Sequence, residues 1–140
     1  MSHMAKVELE IKDLTILKKA CERMGFTFIK DKKNYEWYGR FMNDTPLPEG
    51  VQVKDLGHCD HAISVPGCKY EVGVVKKGNH HELIWDYWGS GGLDKKIGKN
   101  GGLLKQAYTI VKAKMECIRK GYSVREQRTP QGIQLRMEVR

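Results

Sequence analysis

No apolar run in the chain approaches the roughly 18 consecutive residues that a membrane-spanning helix requires, and neither a secretory leader nor an Arg-rich transit segment stands at its start. No membrane partner is therefore expected, and the chain reads as cytoplasmic. Cysteine is sparse. Cys21, Cys59, Cys68 and Cys117 fall short of the density of a disulfide scaffold and read as reduced thiols. No Cys-x-x-Cys pair occurs, so the familiar zinc ribbons and fingers are excluded. Pro66-Gly67-Cys68 lacks the second cysteine of a zinc deaminase. The Walker spacing and its Lys-Ser/Thr ending are also missing. No block of five like charges forms a tail, so any charged patch has to be assembled by folding.

What is present is an excess of positive charge. Lys and Arg number 25 against 17 Asp and Glu, giving a formal +8 and a pI near 9.3. That balance suits anionic partners, either a small molecule or nucleic acid, although a basic solvated surface gives the same numbers. The length of 140 residues fits one domain with one core. Met1-Ser2-His3 ahead of Met4 reads as a vector-derived remnant, so the single domain is taken as residues 4–140.

Along the chain, Val7, Leu9 and Ile11 alternate with Glu8, Glu10 and Lys12, which predicts a first strand wet on one face. Asp13 offers an N-cap, and Leu14, Leu17, Cys21 and Met24 recur at helical spacing until Gly25. Phe26 to Ile29 predicts a second strand and Tyr35 to Arg40 a third. Asn43 to Gly57 holds Pro46, Pro48, Gly50 and Gly57 with little periodicity and reads as a long loop or insertion. Strands follow at His61 to Val65 and Lys69 to Val75, around a turn at Pro66-Gly67-Cys68.

The next segment, His81 to Trp88, is the best candidate for a central strand. Leu83, Trp85 and Tyr87 project one way and Ile84 and Trp88 the other, so both faces can be packed. Asp86 is the one charge near its end. Leu93 to Ile97 predicts a single helical turn. A longer helix begins near Leu103, with Leu104, Tyr108, Val111, Met115 and Ile118 in one stripe that ends at Gly121. The chain then closes in a hairpin of Tyr122 to Arg128 and Ile133 to Arg140, where Arg125, Arg136 and Arg140 can form an arginine-bearing face. The expected fold class is α+β, an antiparallel sheet of about five to seven strands with two main helices packed on one face.

Three constellations carry chemistry. His58, Cys59, His61 and Cys68 offer nitrogen and sulfur for a metal, or a thiol beside a histidine base, but adjacent strand residues point apart and a polar turn explains them equally. No metal is assigned to them. The loop Gly89-Ser90-Gly91-Gly92 with Lys95, Lys96 and Lys99 ahead of the long helix could let backbone amides and ammonium groups meet a phosphate; the alternative is a flexible connection. Trp88, beside that loop, could stack a base. Asp86, Trp88, Gly89, Ser90, Gly91, Lys95, Lys96 and Lys99 thus form the expected ligand site at the strand's exit.

Ile11-Lys12-Asp13-Leu14, Gly57 to Ile63 with Val65-Pro66-Gly67, Tyr70 to Val74, Leu83 to Trp88, Leu104 to Tyr108 and the closing hairpin together resemble the family called hypothetical chloroplast reading frame thirty-five. That family spans plastid, cyanobacterial, bacterial and phage proteins, and the bacterial and phage branch is the nearer in its Cys59 and Pro66 segment and its long Asn43 to Gly57 stretch. The resemblance implies a small α+β fold with no haem or flavin motif and no catalytic residue to carry over. Some members of that family look like genomic neighbours of AAA-type ATPases, an associational pointer to a protein partner and nothing stronger. The leading expectation is a non-enzymatic, cofactor-free binding protein for a nucleotide or nucleic-acid phosphate, in the sense of sequestering it. Its alternatives are an adaptor or accessory subunit of an AAA-type ATPase and a metal- or thiol-dependent Cys/His enzyme.

Overall fold

The computed structural model describes residues 3–139, and for Ala5 and residues 7–11 only the backbone. The expected alternation of Val7, Leu9 and Ile11 against Glu8 and Glu10 lies outside the described side chains, as does Arg140. Among the described residues seven strands and three α-helices follow one another: β1 Met4–Ile11, α1 Leu14–Met24, β2 Thr27–Ile29, β3 His61–Ser64, β4 Val72–Lys77, β5 His80–Asp86, α2 Leu93–Ile97, α3 Gly102–Arg119, β6 Tyr122–Thr129 and β7 Gly132–Val139.

The class is α+β. β1 to β5 form an antiparallel sheet in the order β1-β5-β4-β3-β2, and among the described residues β6 and β7 pair only with each other. The hairpin is thus a second sheet rather than an extension of the first. α1 begins where Asp13 accepts from the Thr15 amide at 2.8 Å and ends at Gly25, whose φ of 78° is the left-handed cap that glycine adopts without a Cβ penalty.

Period-two geometry divides the main sheet into two faces. Val72 and Val74 of β4, Leu83 and Trp85 of β5 and Ile63 of β3 share an apolar cluster with Leu17, Ala20 and Cys21 of α1, Leu93 and Ile97 of α2, and Leu104, Ala107 and Tyr108 of α3. Burial pushes the Cys21 thiol up to about 12, so it behaves as a small core hydrophobe. Trp85 is fully enclosed and its indole N–H points to Asp94 Oδ1 at 3.5 Å.

The opposite face carries Met4, Lys6, Ala62, Gly73, Val75, Glu82, Ile84 and Asp86, as the cross-strand register requires. It is covered by the long segment between β2 and β3. Met4, Ala62 and Ile84 form a second apolar cluster with Tyr35, Leu56 and Cys59, and Trp37, Phe41, Leu47 and Val51 pack around it.

This cover corrects the expectation of a third strand over Tyr35 to Arg40. Tyr35 and Trp37 alternate toward the sheet as strand residues would, but the segment lies across the face instead of along an edge. Its backbone is therefore paired with other loop residues: the Tyr35 amide donates to Gly57 O at 3.0 Å and the Cys59 amide to Lys33 O at 2.9 Å. A single bridge, Asn34 to His58, is all the ladder that forms there. Gly73 makes the approach possible, since a Cβ on it would lie 2.5 Å from Tyr35 Cδ1.

The hairpin is held to the helices by charge. Glu126 of β6 receives Arg23 of α1, with Nη2 to Oε2 at 2.8 Å, and is paired as well with the Lys114 ammonium of α3. Those hydrogen bonds hold its carboxyl down at about 2.

Two outcomes follow from these contacts. Gly73→Ala is expected to cost about 1–3 kcal/mol in urea unfolding, and the cost should shrink when Tyr35→Ala removes the opposing ring; equal costs in both backgrounds would refute the close-approach argument. Because the Glu126 carboxyl is depressed, its contribution is present above the ordinary carboxylate range and is lost as the pH falls toward about 2. Glu126→Gln should therefore lower the melting temperature at neutral pH and flatten its decline on acidification relative to the wild type.

Candidate functional site

The sequence places its expected ligand site at the exit of β5, where the structure engages several of those residues within the fold. Asp86 is 0 % exposed. Its Oδ1 accepts from the His3 amide at 2.9 Å and the Trp88 amide at 3.0 Å, and its Oδ2 accepts from the Tyr38 amide at 3.1 Å. Three backbone donors thus occupy a carboxylate that an anionic ligand would in any case avoid.

Gly89 to Gly91 form a 3-10 turn in which the Gly91 amide donates to Trp88 O at 2.9 Å and the Gly92 amide to Gly89 O at 3.2 Å. These amides are spent within the turn. Gly91 is buried with the Tyr70 ring against it, where a Cβ would meet Cδ2 at 2.1 Å. Trp88 is half-buried, its ring edge-on to His3 at 5.1 Å. Ser90, Lys95, Lys96 and Lys99 are exposed. Lys99 lines a cavity of about 380 Å³ together with Met4, Lys6, Tyr87, Asp94 and Asn100. His3, set aside in the sequence as part of a remnant, also reaches Asp44 through Nε2 at 3.0 Å.

The histidine and cysteine side chains are likewise engaged within the fold. His61 takes the Asp31 amide on Nδ1 at 2.9 Å, which occupies a lone pair that a metal would use, and burial holds its pKa low. Cys59 donates its thiol to Lys32 O at 3.2 Å, and burial pushes it up to about 11. A thiol so held is not a nucleophile at neutral pH. Cys68 lies beside Gly92, where a Cβ would meet Sγ at 3.3 Å, and its thiol is also raised by burial. Among the described residues no group of three His, Cys, Asp or Glu side chains is placed to hold a metal ion.

A different cavity, of about 400 Å³, opens between the covering loop and the sheet. Its floor is Lys6 of β1, Glu82 and Ile84 of β5 and Val75 and Lys77 of β4; its other wall is Gly50, Val51, Lys54, Asp55, His58, Cys59 and Asp60. The acidic groups in it are already engaged. Asp55 accepts from the Gln52 amide at 2.9 Å and Asp60 from the Lys76 amide at 2.7 Å. Glu82 lies 3.9 Å from both Lys6 Nζ and His80 Nε2, while Lys6 also donates to Glu49 O at 2.6 Å. Among the described residues no carboxylate pairs with Lys54 or Lys77, and both are exposed at the rim.

Apart from His58 and Cys59, which the sequence offers only as candidate metal or thiol residues, no motif marks this cleft, because its lining is scattered from position 6 to 84. One signal was legible: a long glycine- and proline-bearing loop is uncommon without a task. No family model, no curated protein and no solved structure matches this chain.

Asp86→Ala should destabilise the chain by about 3 kcal/mol or more, because three amides lose a charged acceptor in a dry site. Asp86→Asn, which keeps an acceptor, should cost less. Denaturant unfolding of both variants checks the order, and a neutral Asp86→Ala would refute the structural role.

Proposed function

We propose that this protein is a non-enzymatic binding module for a nucleotide or nucleic-acid phosphate, and that the ligand enters the cleft between the covering loop and β1, β4 and β5. The observation that carries this reading is a cavity of about 400 Å³ whose carboxylates are spent on backbone amides and on Lys6 and His80, while Lys54 and Lys77 stand at its mouth without carboxylate partners among the described residues. The volume falls within the ordinary range of small-molecule sites. Val51, Val75 and Ile84 add an apolar wall against which a base can rest. The net charge of +8 draws an anion toward such a mouth. With α1 and α3 backing the far face of the main sheet, this face is the one left for a ligand. The hydrogen-bonded thiol of Cys59 on the cleft wall supports binding in preference to catalysis.

A second reading, a protein adaptor, is favoured by one feature. Arg125 and Arg136 stand directly opposite each other on an exposed face of the hairpin, an arrangement that costs stability unless acidic groups approach it.

A melting-temperature screen of mononucleotides and short oligonucleotides separates these readings. A ligand at about 100 times its Kd should stabilise the fold by about 2.7 kcal/mol, an effect that fades with salt. Replacing Lys54 and Lys77 together by Ala should weaken binding about tenfold or more, while replacing Lys96 and Lys99 should leave it unchanged. The reverse pattern would return the site to the exit of β5. Absence of any shift, with co-purification of an acidic protein, would favour the adaptor.

A further inference from the structure

The C-terminal hairpin leaves an edge that the rest of the molecule does not use. β7 is eight residues long and, among the described residues, pairs with β6 alone. Proteins usually blunt so long an edge with a bulge, a proline or a covering segment, and β7 has no proline and keeps an unbroken register with β6 from Gly132 to Val139. Beside Gln134, Arg136 and Glu138, its exposed side chains include two large apolar ones, Met137 at 62 % and Val139 at 82 %, with Ile118 of the neighbouring helix at 53 %.

The tight turn closes on the pair Thr129 and Gly132. Alternation of the antiparallel ladder from that pair directs the backbone groups of Gly132, Gln134, Arg136 and Glu138 toward β6 and turns those of Ile133, Leu135, Met137 and Val139 outward. An added antiparallel strand must therefore bond to the outward set. A second β7, related by a two-fold axis through Met137, meets this condition. It sets Met137 against Met137 of the second copy and Leu135 against Val139 of the second copy on the apolar face. On the other face it sets Arg136 against Glu138 of the second copy, twice by symmetry, in the closer non-bonded pairs. The neighbouring registers are penalised, because centring on Arg136 or on Glu138 opposes that charge to itself. The same pairing brings an acid to the Arg125 and Arg136 couple, which lie opposite each other in the hairpin.

We propose that two copies of this chain associate edge to edge through β7, in antiparallel register about Met137, so that the two hairpins form one continuous sheet. The interface is isologous, as a closed dimer requires.

Sedimentation velocity of the full chain over a concentration series tests this. A reversible dimer is expected. Arg136→Glu or Glu138→Arg should each weaken it roughly tenfold by creating two like-charge contacts, and the double reversal should restore it. Arg136→Glu gives Arg125 an opposite charge within its own hairpin, so the variant should keep or raise its melting temperature while losing the dimer, which separates association from folding. A monomer at concentrations up to about 1 mM, a dimer that neither reversal weakens, or a double variant that stays monomeric would each overturn the proposal.

Discussion

A carboxylate with no water around it has to be surrounded by donors, and Asp86 meets that requirement with the backbone amides of three separate stretches of chain. His3 precedes β1, Tyr38 belongs to the covering loop and Trp88 follows β5. One side chain therefore ties the end of an edge strand, the layer above the sheet and the way out of its interior strand. Glu71 repeats the device at the head of β4, where it receives the Glu36 amide at 3.0 Å and the Lys32 ammonium at 2.6 Å. Both acids project from the face that the helices do not share. An irregular segment has no ladder of its own, so its amides need acceptors of this kind if it is to stay in place over a sheet.

That constraint explains how a two-sided sheet arises in a chain with only two long helices. The helical side is sealed chiefly by apolar stripes, which are non-directional and dense. The loop side is sealed in part by Tyr35, Leu56 and Cys59 over Ala62 and Ile84 and in part by directed hydrogen bonds to buried acids. Where the cover stops short, over Val75, Lys77 and Glu82, the cleft remains. Its mixed lining reflects its origin, with apolar residues from the sheet interior and charges from strand ends and loop.

The regular elements were readable because their signals are local. Asp13 and Gly25 bracket α1, and Leu104, Tyr108 and their neighbours mark α3. Gly89 to Gly92, by contrast, carried a composition that suits phosphate binding, yet the Gly91 and Gly92 amides close a turn and Gly91 lies under Tyr70. Composition registers that glycine is present, not whether its N–H is already donated. Tyr35 to Arg40 misled for a related reason: alternation reports which side chains face an apolar surface, and the same alternation serves a strand in a sheet and a segment lying over one.

From the sequence alone came the class of the fold, the bounds of α1 and α3, the hairpin and its turn, the burial of Cys21 and the excess of basic charge. Apart from the charge, which is a sum over the chain, these depend on residues within a few positions of one another, where helical or strand periodicity and capping chemistry act. Tertiary structure alone decided that Asp86 is a structural acceptor, that Cys59 is a held thiol and that the hairpin stands apart from the main sheet. It also brought Lys6, Lys54 and Lys77 around one cavity. Each of these depends on which distant donor, acceptor or edge arrives opposite a given side chain, a quantity that strand order and register set and that no local pattern encodes.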